Sequence, residues 1–132
     1  MIKYIYHRIR KDNRGVALVE AAFVVPFLLI LVMGLVEFGW IFNGYITLTG
    51  AAREGARVAA IDGDYEKAVD EHTKSVNGLN VNSTSKSGGE VQGDEIKVTV
   101  TGNIPLLVGF LNFLDNPFPL SAEATMRRQY LD

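Results

Sequence analysis

Few residues here are able to do chemistry, and the most telling of them lie in apolar surroundings. Glu20 and Glu37 bracket sixteen uncharged residues within RGVALVEAAFVVPFLLILVMGLVEFGW, positions 14–40. An acidic side chain at the centre of a membrane-spanning helix costs about 2.5–3.5 kcal/mol, and less near an end. Glu20 therefore has to be answered by headgroups or by a positive partner. Glu37, at the far end of the run, is expected to mark where the helix meets water. Gly15 stands just before the apolar run and just after a basic stretch, and its missing side chain lets another protein grip the main chain closely. Pro26 interrupts the run, removes the hydrogen bond to the Ala22 carbonyl and is expected to kink or loosen that turn.

The other reactive residue types form no catalytic set. The chain has no cysteine, which excludes disulfides and thiolate metal sites. Its two histidines, His7 and His72, have no His or Cys nearby, and His72 reads as a half-buried helical residue. There is no G-x-S-x-G motif and no phosphate-cradling loop. No catalytic residue, cofactor, metal ligand or small-molecule substrate is assigned, and the chain is not expected to be an enzyme. Asn82-Ser83-Thr84 fits a glycosylation sequon, a short pattern frequent by chance.

The elements that carry these residues follow from length and charge. At 132 residues there is room for one small domain beside the apolar segment. Residues 1–15 hold five Lys and Arg against one Asp, whereas the remainder holds eight against fourteen Asp and Glu. A basic head before an apolar run keeps the N-terminus inside and sends the acidic body across the membrane. An acidic body is no partner for nucleic acid. Val16 to Val36 is twenty-one residues with one carboxylate, which at about 1.5 Å per residue covers a hydrocarbon core of about 30 Å. Phe38, Trp40, Phe42 and Tyr45 follow as an interfacial aromatic belt. Gly34, Gly39 and Gly44 recur every five residues and form no clean helix-pairing face.

Beyond the span, Leu48, Ala52, Ala56 and Ala59 fall on one face of a helix over Thr47–Ile61, with Arg53 and Arg57 on another. Glu54 is placed to pair with Arg57 at i, i+3. Asp62-Gly63-Asp64 breaks this helix, and Asp64 caps a second one, along which Tyr65, Val69, His72 and Val76 recur. Residues 82–93, NSTSKSGGEVQG, read as a polar loop or hairpin connection, with Leu79 and Val81 as an optional short strand. Strict alternation over 94–101 and again over 119–130 predicts two strands, with Ile96, Val98, Val100, Leu120, Ala122, Ala124 and Met126 inward. The expected fold class is α+β: a long N-terminal helix continuing into a head with a small antiparallel sheet packed on it. Residues 103–119 are too apolar for a solvated loop. They read as a short helix covering the sheet edge, with an exposed docking patch as the alternative.

The order of features departs from a secretory signal. Such a signal has an apolar region of about 7–15 residues with the cut after it. The small triplet at Gly50, Ala51 and Ala52 lies well past the run here. A cut after Gly15 instead removes the basic head, leaves the whole helix on the mature protein and makes Val16 its N-terminus, with Glu20 fifth. That is the logic of a prepilin leader.

With VALVEAAFVVPFLLILVMGLVEFGW continued by AAREGARVAA at 51–60, the chain resembles the TadE-like family of the tight-adherence (Flp-type) pilus systems, related to type IV pilins. The signature covers about residues 14–60. Ala21 and Ala22 follow the glutamate, where an aromatic residue often comes first. The resemblance implies a basic leader over 1–15, a transmembrane helix over 16–46 and an exported head over 47–132. It implies a minor pilin or pseudopilin that prepilin peptidase cuts between Gly15 and Val16, acting in pilus assembly, adhesion or secretion. Its partners would be that peptidase, other pilin-like subunits, the inner-membrane assembly platform and the lipid bilayer. Glu20 would pair with the new α-ammonium of a neighbouring subunit and so set register. The place implied is the inner membrane, single-pass, with later transfer to the pilus. The alternatives are an uncleaved single-pass accessory protein of a secretion system and, third, a secreted enzyme released after Ala52.

Overall fold

The computed structural model describes residues 13–91, 93–108 and 116–129. The expected basic leader lies outside the described residues up to Asp12. The chain divides into two units after Val36.

Helix α1 runs Asn13–Ala59 and contains Pro26. It is long and apolar enough to cross a membrane. In the first unit every large apolar side chain from Val16 onward is exposed, Phe23 to 79%. Among the described residues no core uses this surface, and exposed apolar surface of this extent marks a site for contact with lipid or another chain.

The second unit is an α+β head. Helix α2 spans Tyr65–Thr73, and strands β1 (Asn80–Gly88), β2 (Glu95–Ile104) and β3 (Phe118–Arg127) form an antiparallel sheet in the order β1-β2-β3. Strand β2 alternates throughout, with Ile96, Val98, Val100 and Ile104 fully buried. Register pairs Val98 with Ala124 and Val100 with Ala122, so the inward residues of β2 and β3 share a face. That face joins Leu48, Ala51, Ala52, Ala56 and Ala59 of α1 and Val69 of α2 in one core. The small-residue stripe of α1 is what lets the sheet come close. A Cβ on Gly55 would stand 2.7 Å from Val69 Cγ2 and 3.3 Å from Val98 Cγ1. Gly44 serves the same purpose, since a Cβ there would stand 2.8 Å from Ile104 Cδ1. It is a packing residue of the head and not an ordinary membrane-helix glycine.

Four expectations about the head change. The polar stretch expected as a loop is mostly strand β1, with an irregularity between Val81 and Ser83. As an edge strand it faces water on nearly every residue, and polar side chains there discourage pairing with other chains. On β3 the inward set weakens toward its end, with Leu120 and Ala122 buried, Ala124 half-buried and Met126 exposed. His72 is exposed, and the buried residue of that turn is Thr73, whose hydroxyl donates to Val69 O at 3.1 Å. No helix forms over the described residues 105–108, and the rest of the expected covering helix, 109–115, lies outside the described residues.

Other local expectations hold. Asp64 caps α2, accepting from Lys67 N at 3.1 Å. Glu54 accepts from Arg57 Nε at 2.9 Å and from Nη2 at 2.6 Å. This hydrogen bond holds the Glu54 carboxyl below the usual carboxylate range. Its contribution is present above the ordinary carboxylate pKa and lost as pH falls through the lowered one. Solvent screens the pair, so the effect on stability is small.

Helix α1 ends with Asp62 left-handed at φ 55°, Gly63 N donating to Val58 O at 2.9 Å and Asp62 N to Ala59 O at 3.2 Å. This is a Schellman-type stop. Arg128 locks it: Nη2 donates to Asp62 Oδ2 at 2.6 Å and Nη1 to Gly89 O, joining the helix end to the turn after β1. Its side chain is 17% exposed, and a largely desolvated guanidinium bond to a charged partner contributes about 1.5–3 kcal/mol. Arg128→Ala is therefore expected to lower head stability by about 2 kcal/mol. Asp62→Gly, which removes the partner but relieves the left-handed backbone, should cost clearly less. Urea unfolding of the full chain in detergent micelles checks both.

Candidate functional site

The sequence-nominated residues lie along the first unit of α1. Gly15 and Val16 are inside the helix near its start, so the bond between them is helical. No atom stands within 4 Å of where a Gly15 Cβ would be. Glu20 follows five residues after Gly15, about 7.5 Å along the axis. It is exposed, and no ion pair or hydrogen bond engages it among the described residues. Pro26 sits in the continuing helix. These residues are strung along one rod, so whatever they do requires another molecule.

Glu37 overturns its expectation. It is 1% exposed and buried in the head, not solvated at an interface. Its carboxylate accepts from Leu107 N at 2.8 and 3.1 Å and from Val108 N at 2.8 Å. A carboxylate taken out of water is tolerated where N–H donors replace the lost hydration, and the turn after β2 supplies two. Three residues on, Trp40 Nε1 donates to Pro105 O at 3.1 Å. Trp40 is thus half-buried against the core, and the expected aromatic belt is reduced to Phe38, Phe42 and Tyr45. The Phe38 and Phe42 rings stack with centroids 6.0 Å apart. The partners of Glu37 lie 70 and 71 residues away in the chain, and no local pattern announces them.

Elsewhere on the head, Phe42, Tyr45, Ile46, Gly50, Arg53 and His72 line a shallow open groove. Among the described residues no three His, Asp or Glu side chains stand close enough to hold a metal ion.

The described residues thus form an α+β protein with one apolar helix long enough to cross a membrane and a compact head. Residues 15–57 match the family model of TadE-like proteins, which makes this segment similar to that pilus-associated, pilin-like family. The match begins at Gly15, takes in Glu20, Pro26, Glu37 and the small-residue stripe as far as Ala56, and stops before α2 and the sheet. Comparison with curated proteins and with solved structures gave no match to either.

Proposed function

We propose that the chain is a pilin-like subunit of a tight-adherence pilus, cut by prepilin peptidase between Gly15 and Val16, with Glu20 setting register during assembly. The observation that carries this reading is the TadE-like match over residues 15–57. Two features of the helix support it. Its first unit exposes an apolar surface that neighbouring subunits can cover once lipid no longer does. Glu20 is a carboxylate on that surface without a partner among the described residues. Cleavage would create an α-ammonium at Val16, and a neighbour's ammonium answers Glu20 strongly in low dielectric. A subunit in the wrong register would leave both charges unanswered. The helical Gly15–Val16 bond must open for the peptidase, which the fraying of a helix's first turn allows.

Release after Ala52 fits poorly. Ala51 and Ala52 are fully buried, and a cut there would sever Leu48 from the core it fills.

N-terminal sequencing of membrane-derived protein tests the proposal. The mature chain is expected to begin at Val16 in cells with active prepilin peptidase and at Met1 in cells lacking it. A chain beginning at Met1 in both favours the uncleaved accessory protein instead. Glu20→Ala is expected to insert normally but to fall about tenfold or more in sheared pilus fractions, equivalent to about 1.4 kcal/mol of lost assembly energy. Undiminished incorporation would end the register role.

A further inference from the structure

Turn positions favour Gly, Asn, Asp, Ser and Pro, yet the turn from β1 to β2 carries Val91 between Gly89 and Gly93, and this valine is 63% exposed. The turn is held in shape. Val91 N donates to Asp94 Oδ2 at 3.0 Å, and Asp94 N donates to Val91 O at 3.1 Å. Arg128 fastens both sides of it, donating through Nη1 to Gly89 O and through its backbone N to Asp94 O at 2.9 Å. An apolar side chain presented on organised backbone loses little freedom when it docks. Beside it stands Glu90, an exposed carboxylate.

The open groove on α1 has the matching character. Phe42, Tyr45 and Ile46 give it exposed apolar walls. His72 of α2 closes one side, so near the helix that a Cβ on Gly50 would stand 2.7 Å from His72 Nε2. Arg53 also lines it and is exposed. Among the described residues no ion pair or hydrogen bond engages the side chain of Arg53 or of Glu90. Groove and turn are therefore complementary, apolar to apolar and guanidinium to carboxylate. Within one chain they do not meet, since Val91 does not line the groove and the two charges stay unpaired.

We propose that the groove is the docking site for a second copy of this chain, which seats its Val91 between Phe42, Ile46 and His72 and sets its Glu90 against Arg53. A second copy is favoured over a foreign acidic partner because both halves of the contact stand on this chain, each left without a partner in it. Apolar burial drives the contact. The exposed ion pair adds little affinity but fixes orientation and suppresses wrong pairings. The contact joins two different surfaces, so each bound copy still offers a free groove or a free turn, and repetition carries the assembly past a dimer. It is a property of the head and does not rest on the cut at Gly15 or on Glu20.

The chain has no cysteine of its own, so introduced thiols report single contacts. The full chain carrying Ile46→Cys with Val91→Cys is oxidised with copper phenanthroline in detergent micelles. A ladder of disulfide-linked dimers, trimers and higher forms is expected. Val91→Cys paired instead with Ser85→Cys, on exposed β1 away from the groove, should give several-fold less. Equal yields from the two pairs would mean random collision and overturn the contact, as would the lack of any ladder. Val91→Cys alone should stay monomeric. Strong dimers from it would mean that turn meets turn, and would overturn the groove as the seat of Val91. Adding Glu90→Arg or Arg53→Glu should each lower the ladder several-fold, and adding both should restore it. Both positions are exposed, so neither reversal is expected to unfold the head. A ladder indifferent to the reversals, or one that the double reversal fails to restore, overturns the pairing of Glu90 with Arg53.

Discussion

Glu37→Ala is expected to destabilise the head by about 3 kcal/mol and to shift Trp40 emission to the red. The substitution strands two amides, Leu107 N and Val108 N, which now share one carboxylate at 2.8–3.1 Å. Each stranded buried donor costs about 1–3 kcal/mol, and the cavity left by the side chain adds to this. Two effects pull the other way. A buried charge is removed, which by itself is favourable, and the exposed Leu107 lets some water return to the amides. Two donors against one released charge leaves the sum unfavourable. Glu37→Gln should recover much of the loss, because its amide oxygen at the Oε2 position still accepts from both Leu107 N and Val108 N. Glu37→Met discriminates, since it keeps about the same volume but offers the amides only a weak thioether acceptor; it should recover little of the loss, whereas a cavity effect alone would be almost fully repaired. The single tryptophan stands three residues away with its indole on Pro105 O, so urea unfolding in micelles followed by Trp40 fluorescence reads the region itself. Stability within about 0.5 kcal/mol of wild type, the range of ordinary surface substitutions, would show that the clasp contributes nothing.

Glu37 also shows where local reading of the sequence stops. Its position after an apolar run is what a boundary residue looks like, and only a partner 70 residues away says otherwise. Gly44 was opaque for the same reason: its membrane-like spacing gives no sign of Ile104. Strand β1 was missed because periodicity detects strands by one buried face, and on β1 only Val81 and Thr84 are even half-buried. Its conformation comes from pairing with β2, not from its own pattern. By contrast β2 carries one fully buried face, and its alternation was plain. The cap at Asp64 and the Glu54–Arg57 pair are contacts between residues three apart, which spacing alone reveals. The assembly residues Gly15, Val16, Glu20 and Pro26 are legible by their order. Their geometry along a single helix adds little, since their proposed partners belong to other molecules.

The second large effect is expected from the small-residue stripe of α1. Ala56→Leu should destabilise the head by about 3 kcal/mol, the upper end of the usual range for overpacking a filled core. Ala56 is fully buried in the cluster that holds Val69 and the inner face of β2. Alanine and leucine are both strong helix formers, so helix propensity hardly enters the comparison and the loss reports packing. Gly55→Ala tests the same contact from the other direction. It gains about 1 kcal/mol of helix propensity, yet its new methyl would stand 2.7 Å from Val69 Cγ2, which must move. Propensity and crowding nearly cancel there, and a net loss of about 1 kcal/mol or less is expected. Arg53→Leu, on an exposed position of the same helix, should be nearly neutral. The order Ala56→Leu, then Gly55→Ala, then Arg53→Leu in urea midpoints, measured on the full chain in micelles, is what a sheet pressed against a shallow helix face requires. If Ala56→Leu were as mild as Arg53→Leu, the helix would not be packed on the sheet along that stripe, and the head would need a different core.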